Sequence, residues 1–211
     1  MKKALARGMT VHGVEFSDEN CERMTRYCRK NHLETKATLT NLCHHPVDTL
    51  PREAFDCITL FQVIEHVVEP LGLLASLKPM LKPGGLVYLE CPNEDAFYLK
   101  IKNPLRKKLD RLGFYGSLNP PQHVHGFNRR SMNTLLTRSG FEPIVIHDYP
   151  FGDGFHQPES ITFYPTVMEW IGNPERWGFY TIGKTAVRVT ERWVSKLGGL
   201  GGGLFALARK Q

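Results

Sequence analysis

Several side chains in this sequence carry groups that move protons. Glu65 and His66 are adjacent and follow the apolar run FDCITLFQVI (55–64), and His123 and His125 lie further along the chain. A carboxylate and an imidazole at the end of a buried strand can serve as general acid and base. The structural alternative is that Glu65 caps the following helix and His66 packs against a sheet.

A second acid, Glu15, closes the predicted strand TVHGVEFS (10–17). In dinucleotide-binding folds, an acid at the carboxyl end of a strand accepts hydrogen bonds from ribose hydroxyls. An exposed acid before a helix is also common without any ligand. The residue by itself leaves both interpretations open.

The surrounding pattern predicts elements that place these side chains at strand ends. A helix from about Asp18 to Lys30, capped by Ser17 or Asp18, follows the first strand. Further strands are predicted at 35–39, 55–64, 86–91, 141–149 and 203–210, and further helices at 69–85 and 129–139. Pro79 is expected to tighten the end of the helix at 69–85.

Alternation of strands and helices predicts an α/β fold, a doubly wound and mostly parallel sheet. The chain is interpreted as one domain, 1–211, with two aromatic-rich insertions at about 94–122 and 150–200. Ligands bind at the carboxyl ends of the strands in such sheets. The residues to inspect there are Glu15, Phe16, Ser17, Asn41, Leu42, Phe61, Gln62, Val63, Pro92 and Asn93.

Composition excludes several classes of protein. Hydrophobic residues make up 41% of the 211 and charged residues 23%, which is typical of a soluble globular chain, and no apolar run could span a bilayer. Five cysteines without a CxxC pair argue against a disulfide framework and a thiolate zinc site, and a reducing cytoplasm is expected. The net charge of +6 is concentrated in a basic stretch at 100–111, interpreted as a solvated insertion or as a patch for nucleic acid, lipid headgroups or an acidic substrate.

The string from Phe55 to Asn93 resembles class I S-adenosylmethionine-dependent methyltransferases, in particular the ubiquinone-biosynthesis O-methyltransferase group. The matching pieces are Phe55-Asp56, Glu65-His66-Val67 and the run LKPGG (81–85). VHGVEFS (11–17) resembles the second strand of that family with its ribose acid. Residues 123–144 resemble its late histidine turn, helix and sixth strand, and LFALARK its last, antiparallel strand.

The resemblance implies a Rossmann-like methyltransferase fold and S-adenosyl-L-methionine as cofactor. Glu15 would hold the ribose, and Asn41 stands where the family usually has an acid contacting the adenine amino group. Phe61 and Gln62 would line the methionine arm. The cofactor-binding residues are then Glu15, Phe16, Ser17, Asn41, Leu42, Phe61, Gln62 and Val63.

The histidines allow two chemical roles. His66, His123 and His125 are candidate catalytic bases. Glu65, His66, His123 and His125 could also converge on a divalent metal. Small-RNA 2′-O-methyltransferases use two glutamates and two histidines for such a metal in a related layout, but the first glutamate position here is Gln62, a neutral and poorer ligand. No metal is therefore assigned, and the loop at Cys43, His44 and His45 is interpreted as surface.

The family's glycine-rich loop after its first strand is missing from the sequence. In dinucleotide folds the acid follows those glycines by about 20 residues, and counting back from Glu15 by that distance passes Met1. KKALARG (2–8) resembles the tail of the helix after that loop. The expectation is an N-terminally truncated chain that lacks the first strand, and the GGLGGG at 198–203 is no substitute because it precedes a strand.

The expected function is methyl transfer to a small-molecule or lipid-like acceptor, by in-line displacement at a sulfonium with the protein mainly aligning the acceptor. Aromatic residues of the two insertions are candidates for roofing an apolar acceptor pocket. One alternative is a non-enzymatic remnant of the fold that acts as a partner subunit. Another is an RNA methyltransferase, for which the basic stretch is the main support; nucleic acid is not the favoured partner.

Overall fold

A computed structural model of the chain describes residues 2–42, 49–96, 123–149 and 201–211. The chain divides into two compact units, Met1–Pro51 and Arg52–Gln211. The predicted insertion at 150–200, most of the one at 94–122, the basic stretch and Cys43 to His45 lie outside the described residues. No helix in the described ranges is long and apolar enough to cross a membrane.

The first unit contains two helices and a two-stranded parallel sheet. Its elements are α1 (Lys2–Ala6), β1 (Val11–Glu15), α2 (Asp18–Lys30) and β2 (Ala37–Asn41). The predicted helix after the first strand is confirmed, and Ser17 is its N-cap, with a side chain that accepts from the Asn20 amide. In the sheet, Glu15 lies opposite Asn41, so the last residues of both strands meet at one edge.

The second unit holds a four-stranded sheet in the order β3-β4-β6-β5. Its elements are β3 (Phe55–Phe61), a 3₁₀ turn (Ile64–His66), α3 (Pro70–Leu77), β4 (Leu81–Pro92), α4 (Arg129–Arg138), β5 (Phe141–Tyr149) and β6 (Gly203–Lys210). β3 and β4 are parallel, whereas β6 runs antiparallel to both of its neighbours. The antiparallel last strand that the resemblance implied is therefore confirmed.

One face of this sheet forms the core of the second unit. Val87, Leu89 and Cys91 alternate along β4 and are fully buried. Leu74 of α3 and Leu136 of α4 are also fully buried. The alternation places Tyr88 and Glu90 on the opposite face of the same strand, because successive side chains of a strand point to opposite faces.

Two predicted boundaries were wrong. α3 ends at Leu77, not near residue 85, and a 3₁₀ turn over Lys78–Met80 leads directly into β4 at Leu81. Pro79 lacks the N–H that a continuing helix needs, and Leu81 pairs with Phe55 of β3 instead. β3 ends at Phe61, not at residue 64, because Gln62 has a positive φ of 53° that turns the chain out of the sheet.

Candidate functional site

The carboxylate of Glu15 is held at the end of β1 by local hydrogen bonds. Its Oε1 accepts from the backbone amides of Phe16 at 2.8 Å and Ser17 at 3.1 Å. Its Oε2 accepts from the Asn20 side chain at 3.3 Å. A carboxylate has about four acceptor positions, so Oε2 retains acceptor capacity in a fixed orientation.

The other predicted cofactor residues of the first unit surround this carboxylate. Asn41 donates a hydrogen bond from its side chain to Asp18, and the Leu42 amide donates to the Glu15 carbonyl at 2.9 Å. The Phe16 side chain is 65% exposed, although it is large and apolar. The chain therefore brings Glu15, Asn41 and Leu42 together at one sheet edge, with the largely exposed Phe16 beside them.

A cavity of about 580 Å³ opens beside Glu15 within the same unit. Gly13 and Leu39 line it from the strands, and Met24 and Tyr27 line it from α2. The space next to the fixed carboxylate is thus mainly apolar.

The predicted residues of the second unit follow the end of β3. Phe61 is 40% exposed and Val63 is 37% exposed. The Gln62 amide donates to the carbonyl of Glu90 at 2.8 Å, which fixes the turn against β4. A non-glycine residue in the left-handed region is uncommon, and such backbone conformations cluster at functional sites.

Beyond this turn, Glu65 and two histidines form a compact cluster. Their metal-binding atoms, one each from Glu65, His66 and His123, all lie within 4.8 Å of one another. Glu65 is only 1% exposed, and neither of its carboxylate oxygens has a hydrogen-bond partner among the described residues. His66 Nε2 lies 3.8 Å from Glu65 Oε1, which exceeds a hydrogen-bond length.

Burial is the main influence on the pKa of Glu65. Burial raises the pKa of the Glu65 carboxyl above its usual range, while the imidazoles of His66 and His123 oppose the shift. The structural alternative, in which Glu65 caps the following helix, is wrong, because the N-cap of α3 is Glu69. The His66 side chain is 42% exposed.

His125 lies apart from this cluster. Its Nε2 forms a hydrogen bond with the carbonyl of Val68 at 3.0 Å, and its backbone amide donates to the Glu65 carbonyl at 3.1 Å. Two of the three histidines predicted as bases, His66 and His123, thus lie next to Glu65. The third, His125, contributes a backbone hydrogen bond to the Glu65 carbonyl.

Residues 2–146 match the family model described as a methyltransferase domain. The chain belongs to this family. The resemblance stated from the sequence is therefore confirmed at the level of family and fold.

Curated relatives of this methyltransferase domain are ubiquinone biosynthesis O-methyltransferases. The protein from Actinobacillus pleuropneumoniae is 30% identical over 103 residues, which cover 44% of this chain and 41% of that protein. The one from Dinoroseobacter shibae is 26% identical over 170 residues, which cover 77% of this chain and 58% of that protein. The chain thus spans about two fifths to three fifths of these relatives' lengths.

Solved methyltransferase structures share the fold. A putative sarcosine dimethylglycine methyltransferase from Galdieria sulphuraria has a TM-score of 0.59 at 14% identity, covering 100% of this chain and 74% of its own. A SAM-dependent methyltransferase from Archaeoglobus fulgidus has a TM-score of 0.55 at 15% identity. The match covers 99% of this chain and 80% of that structure's chain. The predicted Rossmann-like α/β class is confirmed.

The methyltransferase domain also contains a buried acid that sequence reasoning missed. Glu90 is 6% exposed, and its two oxygens accept from the hydroxyls of Tyr88 at 3.0 Å and Tyr149 at 2.7 Å. The available signal was an acid inside the apolar strand LVYLEC (86–91), with a tyrosine two positions earlier on the same face.

Asn93, expected at a ligand-binding strand end, is instead structural. It is 1% exposed, and its side chain donates to the Gly201 carbonyl at 2.7 Å. Its backbone amide donates to Gly202 at 2.8 Å. Asn93 therefore ties the end of β4 to the segment that begins β6.

Proposed function

We propose that this domain transfers a methyl group from S-adenosyl-L-methionine to a small-molecule or lipid-like acceptor. The observation that carries the proposal is the match of residues 2–146 to the methyltransferase family. In the reaction, the acceptor forms a bond to the methyl carbon as the carbon–sulfur bond breaks, and S-adenosylhomocysteine leaves. The main task of the protein is alignment of the two reactants.

Glu15 is proposed to accept hydrogen bonds from the ribose hydroxyls. Two backbone amides orient its Oε1, and among the described residues Oε2 accepts a hydrogen bond from the Asn20 side chain alone. Asn20 can rotate away and release a second acceptor position on Oε2. Asn41, paired with Glu15 across the sheet, is proposed to contact the adenine, and Phe16, Ser17 and Leu42 are proposed to line the same part of the cofactor.

Phe61, Gln62 and Val63 are proposed to contact the methionine part of the cofactor. Phe61 and Val63 present exposed apolar surface directly after a parallel strand, where α/β sheets bind their ligands. The left-handed turn at Gln62 sets the direction of the three side chains.

The acceptor is proposed to present an oxygen, in line with the relatives named for O-methylation in ubiquinone biosynthesis. Methylation of a hydroxyl requires loss of its proton, and an imidazole is suited to accept it. His66 and His123 are the candidate bases, since they converge beside Glu65, while the ring of His125 is bonded to a backbone carbonyl.

Binding of S-adenosylhomocysteine, measured by calorimetry, tests the assignment of Glu15. We expect Glu15→Gln to weaken binding roughly tenfold or more, because a hydrogen bond to a charged group contributes about 1.5–3 kcal/mol. Glu22→Gln is the matched control, since Glu22 is an exposed glutamate of the neighbouring helix. Equal affinity of the two variants would overturn the role of Glu15.

A further inference from the structure

We propose that residues 185–197 of this chain pack as a helix against the outer face of the four-stranded sheet, which is the face opposite α3 and α4. These residues belong to the part of the sequence that connects β5 with β6. The inference concerns packing within one chain and does not depend on the proposed methyl transfer.

The outer face is apolar and aromatic across all four strands. The ring centroids of Phe61 and Tyr88 lie 5.3 Å apart, and those of Tyr88 and Phe205 lie 6.0 Å apart. The strand register aligns the side chains of this face in two adjacent rows, which consist of Thr59, Tyr88, Leu207 and Val145, and of Phe61, Glu90, Phe205 and His147. The carboxylate in the second row is hydrogen-bonded to two tyrosine hydroxyls and leaves the patch mainly apolar.

The two faces of the sheet differ in burial. On the inner face, Val87 and Leu89 of β4 and Ala206 of β6 are fully buried. On the outer face, Val145 is 37% exposed and Leu207 is partly exposed. Parallel strands such as β3 and β4 are normally buried on both faces, so the outer face has apolar area that a further element can bury.

The connection between β5 and β6 begins and ends beside this face. The chain leaves β5 at Tyr149, whose hydroxyl donates to Glu90 on the outer face at 2.7 Å. It returns at Gly201, whose amide donates to the buried Asp148 at 2.7 Å. Adjacent antiparallel strands are usually joined by about two to five residues, whereas here the whole of 150–200 intervenes.

The residue pattern of 185–197 predicts an amphipathic helix that ends at the glycines 198 and 199. Such a helix gains most of its stability by packing its apolar side against the rest of the protein. The apolar side consists of Ala186, Val189, Trp193 and Leu197, and the opposite side of Arg188, Arg192 and Ser195.

The short link to β6 limits where this helix can pack. Only residues 198–200 separate Leu197 from Gly201, and a fully extended link of this length spans about 14 Å. The inner face is already packed against α3 and α4, so the outer face is the apolar surface of the sheet that remains for the helix. A helix over 185–197 is about 20 Å long, and four strands about 4.8 Å apart span about 14 Å, so the helix can cross the whole sheet.

Trp193 provides a probe for the test, which uses the full chain. With Trp170→Phe and Trp177→Phe, Trp193 is the only tryptophan of the sequence, so its fluorescence reports on 185–197 alone. We expect its emission at shorter wavelength, and its quenching by acrylamide to be weaker, than in the same chain unfolded in urea.

Substitutions on the outer face locate the packing. Val145→Glu and Leu207→Glu each place a carboxylate in the proposed contact, and burying an unpaired charge is costly. Both should shift the emission of Trp193 to longer wavelength and increase its quenching. Val68→Glu is the matched control, because Val68 is 73% exposed and lies outside the sheet, and it should leave the emission unchanged.

Far-UV circular dichroism checks that each variant folds. Val145 is partly exposed at the edge strand β5, so Val145→Glu keeps the test valid even where Leu207→Glu does not fold. Quenching of Trp193 in the native chain as strong as in urea would overturn the proposal, and so would a protected Trp193 that Val145→Glu does not expose. Protection that disappears on dilution, together with a dimer in sedimentation equilibrium, would assign the outer face to a second copy and also overturn it.

Discussion

Two buried carboxylates of the second unit differ in what surrounds them. Each oxygen of Glu90 accepts a hydrogen bond from a tyrosine hydroxyl, whereas neither oxygen of Glu65 has such a partner in the described part of the chain. Burial and Glu90 together raise the pKa values of Tyr88 and Tyr149 well above that of a free phenol. Glu90 is therefore hydrogen-bonded within the fold, whereas Glu65 lies beside the proposed bases His66 and His123.

Replacing Tyr149 by phenylalanine should destabilise the domain. The substitution removes a 2.7 Å hydrogen bond to the buried Glu90 carboxylate, which is expected to cost about 1.5–3 kcal/mol. The quantity to measure is the free energy of unfolding in urea at neutral pH. The original chain should lose this stabilisation as the pH rises above about 10, since the pKa of Tyr149 is raised in the folded state.

A double-mutant cycle separates this network from simple packing. With Tyr88→Phe and Tyr149→Phe combined, Glu90 loses both of the tyrosine hydroxyls that donate to it, so the double variant should cost more than the sum of the two single variants. Strict additivity, or a single Tyr149→Phe effect close to zero, would contradict the role assigned to Glu90.

Candidate site residues at the end of a strand could be predicted from the sequence. Contacts between residues that are distant in the sequence could not. Glu15, Gln62 and His66 follow apolar runs, and such positions are where α/β folds bind ligands. The proximity of His123 to Glu65 depends on backbone hydrogen bonds between distant segments. Asn93 was misjudged for the same reason, because its partner, Gly201, is far away in sequence.

Among the elements, the junction that leads into β6 depends on a glycine. A Cβ atom on Gly201 would clash with the carbonyl oxygen of Tyr149, which belongs to the backbone and cannot rotate away. The Gly201 amide also donates to the buried Asp148 at 2.7 Å. Gly201 is therefore packed against the end of β5.

Gly201→Ala should consequently destabilise the domain by roughly 1–3 kcal/mol, a typical cost of overpacking. Gly72→Ala is the matched control, because Gly72 lies in α3 and a Cβ there meets only Glu69 at 3.6 Å. The control should be neutral or stabilising by up to about 1 kcal/mol, since alanine favours a helix. Thermal melting of both variants gives the comparison, and equal melting temperatures would contradict the packing role of Gly201.

Element boundaries were predictable where a local signal exists. Ser17 and the acids after it set the start of α2, and the glycine at 140, with a φ of 74°, follows the end of α4. The start of β4 was missed because LKPGG resembles the end of a helix, and only its pairing with β3 makes Leu81 part of a strand. Such pairing is decided by tertiary contacts and not by local propensity.

At the scale of the whole molecule, apolar runs predicted the class of fold but not the order of strands. β6 lies between β4 and β5, although it is the last strand in sequence. The resemblance implied only that this last strand is antiparallel, and strand periodicity does not specify neighbours. The expectation of a segment before Met1 with a glycine-rich loop stays a prediction.

Calorimetric titration with S-adenosylhomocysteine tests the methyltransferase assignment most directly. The titration is performed on this chain and on a version lengthened at its N-terminus by the codons that precede Met1 in the gene. We predict one-to-one binding by at least one of the two, and binding by the extended version alone would confirm the predicted upstream segment. Absence of binding by both would contradict the assignment and leave the non-enzymatic partner subunit as the better interpretation.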